Sequence, residues 1–215
     1  MKKALFLVLT LSLILGLATF LQAREDGTPG ILGTPHDVQV ITGEAGLEPC
    51  VMCHSPHSGT GEYPAWNRDQ GPQTYTMYNS PSYDMNDFNT GPQEPSSLCL
   101  VCHNGVFSGL VNYPGPGSHT NENYDYQMNA TFWAMLDTDL TNDHPISFTY
   151  SSAGDSQSGL HPIATVATNS SSLLVFYGSG SDQVECATCH DVHNTAGVAK
   201  LLRYSNASSA MCLDC

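Results

Sequence analysis

Basic side chains are scarce in this 215-residue chain: six Lys and Arg stand against twenty Asp and Glu, and two of the six, Lys2 and Lys3, open the sequence. The deficit excludes nucleic-acid binding and adhesion to anionic lipid, because both need a clustered positive face. Long apolar runs are also missing, apart from Ala4 to Phe20. That run follows the two lysines and closes with Leu21-Gln22-Ala23 before the polar Arg24, the layout of a secretory signal peptide over residues 1–23. It is short for a bilayer span and no basic stop-transfer cluster follows, so the chain is read as exported, with no membrane span after cleavage. The remaining residues, 24–215, keep four basic side chains and a formal charge of about −16. Such a surface suits basic partners or cationic surfaces.

Amphipathic periodicity is lacking too. Gly, Pro, Ser, Thr and Asn interrupt nearly every stretch. A chain patterned this way buries too little apolar surface to offset its own ordering entropy. Something other than side chains is expected to fill the interior.

What the chain does have is paired cysteine. Its eight cysteines form four C-x-x-C pairs, Cys50/Cys53, Cys99/Cys102, Cys186/Cys189 and Cys212/Cys215, and none stands outside a pair. His follows directly in three cases, as His54, His103 and His190. With nine histidines in the whole chain, three such coincidences arise by chance roughly once in ten thousand sequences. C-x-x-C-H is the attachment motif of haem c. Two thiols add across the two vinyl groups of the porphyrin, a two-residue gap in one helical turn sets their separation, and the adjacent His binds iron as proximal ligand. Structural zinc and a disulfide framework also use paired cysteines. Neither requires the following His, and neither supplies a core.

The motifs repeat. Cys50-Val-Met-Cys53-His54-Ser-Pro-His57 matches Cys186-Ala-Thr-Cys189-His190-Asp-Val-His193, and Ser96-Ser-Leu-Cys99-Leu-Val-Cys102 resembles Ser209-Ala-Met-Cys212-Leu-Asp-Cys215. The chain therefore reads as a single domain over 24–215, made of two two-haem units (24–103 and 186–215) joined by a cysteine-free insert (104–185). The alignment places a His after Cys215, opposite His103, as the expected continuation. Four haems are expected, three of them on complete motifs.

The expected fold class is mostly irregular and loop-rich, with short α-helices and a few short β-strands, organised around covalent haems. Helices are expected at each C-x-x-C-H and at Ala130 to Leu136. Strands are expected at Val38 to Ile41, Ile146 to Tyr150 and Leu173 to Tyr177. Gly61 to Pro95 and Asn112 to Asn123 read as loops that wrap haem.

Four bis-His haems need four distal ligands, and six further histidines are present. His57 and His193, three residues past a proximal His, point away from their own ring and are expected to reach a neighbouring haem. His144 comes next, because Pro145 keeps it extended. His36 is similar, with Asp37 able to orient an imidazole as an acceptor behind it. His119 and His161, among Gly, Ser and Pro, are assigned ordinary surface roles. Met77, Met85, Met128 and Met135 and the tyrosines of Tyr75 to Tyr83 are expected to pack against haem rather than to ligate iron or relay electrons.

These runs, together with Leu98-Cys99-Leu100-Val101-Cys102-His103-Asn104-Gly105 and Asn142-Asp143-His144-Pro145-Ile146-Ser147, resemble the exported multihaem c-type cytochromes of metal-reducing and related bacteria. The four-haem size resembles the extracellular tetrahaem cytochromes of the OmcE type, which form filaments. The resemblance implies bis-His haems in a continuous chain, electron exchange with redox partner proteins or extracellular acceptors, a periplasmic or cell-surface location, and a homopolymer in which a ligand is sometimes donated by the adjoining subunit. His36 is then open to two placements, across a subunit boundary or folded back on its own chain. The expected function is electron transfer without bond chemistry. The alternative is a multihaem reductase with one open iron position.

Overall fold

The structure, a computed structural model, describes residues 30–43, 45, 48–54, 66, 72–83, 89–106, 133–150 and 159–215. The expected leader, His57, His119, the loop 112–123 and much of the loop 61–95 lie outside the described residues.

Val38–Thr42 forms α1, not the strand its β-branched residues suggest. Asp37 stands in extended conformation at the N-cap, where its carboxylate accepts from the Gln39 amide at 3.0 Å and the Gly33 amide at 2.8 Å. Gly43, left-handed at φ 73°, closes the far end by donating to the Gln39 carbonyl. A cap at one end and a glycine at the other outweigh strand propensity over five residues.

Each C-x-x-C pair then meets a helical turn. Pro49–Met52 is a 3-10 turn, Ser96–His103 is α2, Cys186–Cys189 is α4 and Ala210–Leu213 is α5. α2 buries Leu98, Leu100 and Val101. It stops at Asn104, before a left-handed Gly105 where a Cβ would meet the Met135 sulfur at 3.0 Å. The described part of the helix expected at Ala130 to Leu136 is turn and irregular backbone. There the Leu136 and Asp137 amides donate to the His103 carbonyl, which takes them out of any local helical ladder.

The insert contributes structure to the second motif pair. Phe148–Thr149 (β1) runs antiparallel to Gln183–Val184 (β2), with Phe148 opposite Val184, and the Ser147 and Tyr150 amides extend the pairing at 2.7 Å each. Ile163–Asn169 forms α3, which the sequence patterns did not suggest. It starts behind Pro162, a residue suited to a helix start because its missing amide would have no partner there. Leu173 to Tyr177 is not a strand. Ser171 and Ser172 turn left-handed after α3, and Tyr177 makes a single bridge to Gln183.

Two apolar clusters result. Val38 and Met52 form the smaller, flanked by Ile41, Cys53 and Cys102. Phe148, Tyr150, Val166, Leu174, Val184 and Met211 form the larger, with Ile163, Cys189 and Cys215 against it. Among the described residues no helix is long and apolar enough to cross a membrane.

Candidate functional site

The helical turns present the cysteines of each pair together. His54 and His190 donate their amides to the carbonyls of Cys50 and Cys186, at 2.8 and 3.0 Å, so each motif closes one turn that begins at its first cysteine. All eight cysteines are free thiols. The pairs follow one another in sequence order. Cys53 and Cys102 pack on the smaller core, the Cys99 and Cys186 thiols lie beside each other where α2 meets α4, and Cys189 and Cys215 pack on the larger core. Burial and the neighbouring Cys215, Cys212 and Cys186 push the Cys189 thiol up to about 11.

The histidines come together in twos. His54 faces His193, with ring centroids 6.2 Å apart and planes 8° from parallel. His103 faces His36 at 6.0 Å with the planes at 88°. The first pair is parallel and the second edge-to-face. An iron atom bound about 2 Å from an imidazole nitrogen on each side would separate two centroids by about 6 Å, whatever the twist between the rings. Each pair combines one histidine of a C-x-x-C-H with one from elsewhere. The donor set and spacing fit an iron porphyrin held by two axial imidazoles.

The hydrogen bonds around the rings suit the same role. The Nδ1 atoms of His103 and His190 lie 2.7 and 2.9 Å from the carbonyls of Ala134 and Lys200. A carbonyl can only accept, so Nδ1 carries the proton and Nε2 keeps its lone pair for a metal. His36 has a buried Nδ1 without a partner. Burial first, then the proximity of His103 and His190, lowers its pKa to about 4 and holds it in the neutral, ligating form.

The structure gives the other expected site residues less uniform places. α4 ends at Cys189, His190 is extended, and a turn through Asp191 carries His193 away from its own motif. Asp191 accepts from the amides of His193 and Thr195 and from the Thr195 hydroxyl. Asp37 does not orient His36, since its carboxylate is committed to the cap of α1. His144 is exposed, with Nδ1 donating to the Pro145 carbonyl at 2.8 Å, and makes no ring contact with another histidine among the described residues. Among the described residues no three of His, Cys, Asp and Glu converge as a metal-holding group. The arrangement is pairwise.

Two features had no reading in the sequence. Glu185, just before the third pair, is almost fully buried. It accepts from the Ser147 hydroxyl at 2.7 Å and lies beside the Ser96 hydroxyl, which accepts from the Cys186 amide. Burial raises its carboxyl to about 7 against these bonds, and Oε1 has no partner. The second feature is a knot of backbone in which the His161 amide donates to the Cys215 carbonyl at 2.6 Å and the Tyr150 hydroxyl reaches both the His161 and Cys215 carbonyls. No protein-family model matches the chain and no curated protein is significantly similar to it, so the family likeness rests on the motif residues.

Proposed function

We propose that this protein is an exported electron carrier whose cysteine pairs hold haem c and whose histidines bind the iron on both faces. The observation that carries the reading is the pairing of two motif histidines, His54 and His103, each with a second imidazole about one bis-ligated iron away. When bound, haem c supplies an iron that cycles between Fe(III) and Fe(II).

The chain's own residues do the rest. The cysteine pairs fix the ring edge by thioethers. His54 with His193, and His103 with His36, would hold the iron of the first two haems from both sides and leave no position there for substrate, which suits a carrier at those two sites. His36 lies within its own chain in this arrangement, the folded-back placement. By the repeat, His57 is the counterpart of His193 and is assigned to the His190 site. The acidic surface suits basic redox partners or extracellular acceptors in the periplasm or at the cell surface.

Haem-loaded protein from a cytochrome c maturation host should keep its colour on the polypeptide after acid-acetone extraction. Its pyridine haemochrome should give at least three haems per chain, and reduced spectra of the haems at Cys50/Cys53 and Cys99/Cys102 should be low-spin and indifferent to carbon monoxide. A colourless protein from such a host, or one with stoichiometric zinc, would sink the reading. Carbon monoxide binding at either of those two haems would return the reductase.

A further inference from the structure

The internal repeat extends further in three dimensions than the cysteine motifs reveal. His36 stands two residues before Val38 and five before Ile41, and His161 stands two before Ile163 and five before Val166. In both places the histidine immediately precedes a short helix, α1 or α3. Both helices then use those two apolar residues alike. Val38 and Ile41 join the cluster that packs Cys53 and Cys102, the second cysteines of the first two pairs. Ile163 and Val166 join the cluster that packs Cys189 and Cys215, the second cysteines of the last two.

The correspondence assigns a partner. His36 meets His103, the residue directly after Cys102. His161 is tied by its own amide to the carbonyl of Cys215, and Tyr150 clamps both residues from the core. Its side chain is exposed and its ring makes no hydrogen bond among the described residues. His144, the other histidine ahead of the third pair, has none of this packing and spends its Nδ1 on the neighbouring carbonyl.

From this packing we infer that His161 supplies an axial ligand to the iron of the haem carried by Cys212 and Cys215. The inference rests on the proposed haem binding. It departs from the surface role that the local Gly, Ser and Pro suggest, and it makes His144 dispensable for that haem. The histidine and the helix behind it act as one unit: apolar packing of α3 on Cys189 and Cys215 sets the backbone, and the imidazole is delivered from it.

The test uses the full haem-loaded chain with His161→Gly and, in parallel, His144→Gly. Covalent haem content should stay at the wild-type value in both. In His161→Gly one haem should change its axial ligation, read as the loss of a single component in the electron paramagnetic resonance spectrum and a shift in one midpoint potential. Added imidazole should reverse both changes. His161→Met, which substitutes a thioether ligand, should raise the potential of that same haem alone. An unaltered spectrum in His161→Gly, a change that imidazole does not reverse, or an imidazole-reversible change in His144→Gly would each overturn the assignment. If His161→Gly fails to accumulate, an unshifted set of potentials in His161→Met does so instead. Absence of covalent haem from the wild type is a different result, and removes the electron-carrier reading before this one.

Discussion

The first motif pair and the second are built on the same plan with unequal amounts of protein. Around Cys53 and Cys102 the buried apolar support is Val38 and Met52, from a five-residue helix and a 3-10 turn. Around Cys189 and Cys215 it is six buried residues from α3, α5, both strands and the segments beside them, tied by the Tyr150 and Arg203 hydrogen bonds to backbone carbonyls. The second pair therefore has a core of its own. The first has a histidine pair in place, His36 against His103, but little apolar surface to hold it. The difference teaches that the two motif pairs lean unequally on side chains, and under the proposed function a haem would supply what the first pair lacks.

Withholding haem should break this comparison most severely. In protein made without the cytochrome maturation machinery, hydrogen exchange should show protection confined to the amides around Val166, Val184 and Met211. The stretch from Val38 to Thr42 should exchange as unfolded chain. Haem-loaded protein should protect both. Equal protection of α1 in the haem-free form would show that the smaller core suffices by itself.

The buried network between the two halves gives the next largest effect. Glu185 accepts from Ser147 and lies beside Ser96, between the β1–β2 segment and α2, in front of the third cysteine pair. Its carboxyl is raised by burial from 4.5 to about 7, so between those values the folded protein binds a proton that the unfolded chain has released. The stabilisation is complete below pH 4.5, falls as pH rises through 7, and spans on the order of 3 kcal/mol. Glu185→Gln should flatten this window in denaturant titrations of the loaded protein. An identical pH dependence in wild type and variant would show that the carboxyl stays ionised through the fold.

Truncation of the cores should sharpen the contrast. Val166 and Val38 are both almost fully buried, but Val166 has a packed cluster around it. Val166→Ala should cost about 2 kcal/mol in haem-free and haem-loaded protein alike, measured by urea unfolding. Val38→Ala should matter only once haem is bound. A cost for Val38→Ala in haem-free protein as large as that for Val166→Ala would make the two cores equivalent.

How much of this was readable beforehand divides along the same line. The cysteine pairs, their helical turns and the histidines that follow them rest on spacing within four or five residues, and sequence carries that directly. The match of His193 to His54 depends on a turn through Asp191 and a contact across more than a hundred residues. Sequence named the residue without its partner. The β-branched Val38, Val40 and Ile41 suggest a strand at α1, while Asp37 and Gly43 mark both ends of a helix. α3 is hidden by a weak pattern, two aliphatic residues behind a proline, that gains meaning only when the packing of the cysteines is known.

The smallest expected effect concerns Asp37, where the two helix starts differ. α3 begins behind Pro162 with no side-chain cap, whereas α1 depends on one carboxylate that binds the Gln39 and Gly33 amides. Sequence suggested that this carboxylate orients the His36 imidazole, but the structure spends it on backbone and leaves His36 Nδ1 without a partner. The two roles respond differently to replacement. As a cap, Asp37→Ala should cost about 1 kcal/mol and Asp37→Asn much less, because an amide oxygen can accept the same amide protons. The potential of the haem at Cys99/Cys102 should then stay where it is in Asp37→Asn. As an imidazole acceptor, the charge itself would matter: removing it would weaken the donor strength of His36 and move that one potential without a comparable loss of stability. Thermal unfolding and redox titration of the two variants, read together, decide between the roles. A shifted potential in Asp37→Asn with unchanged stability would return the aspartate to the imidazole and deprive α1 of its cap.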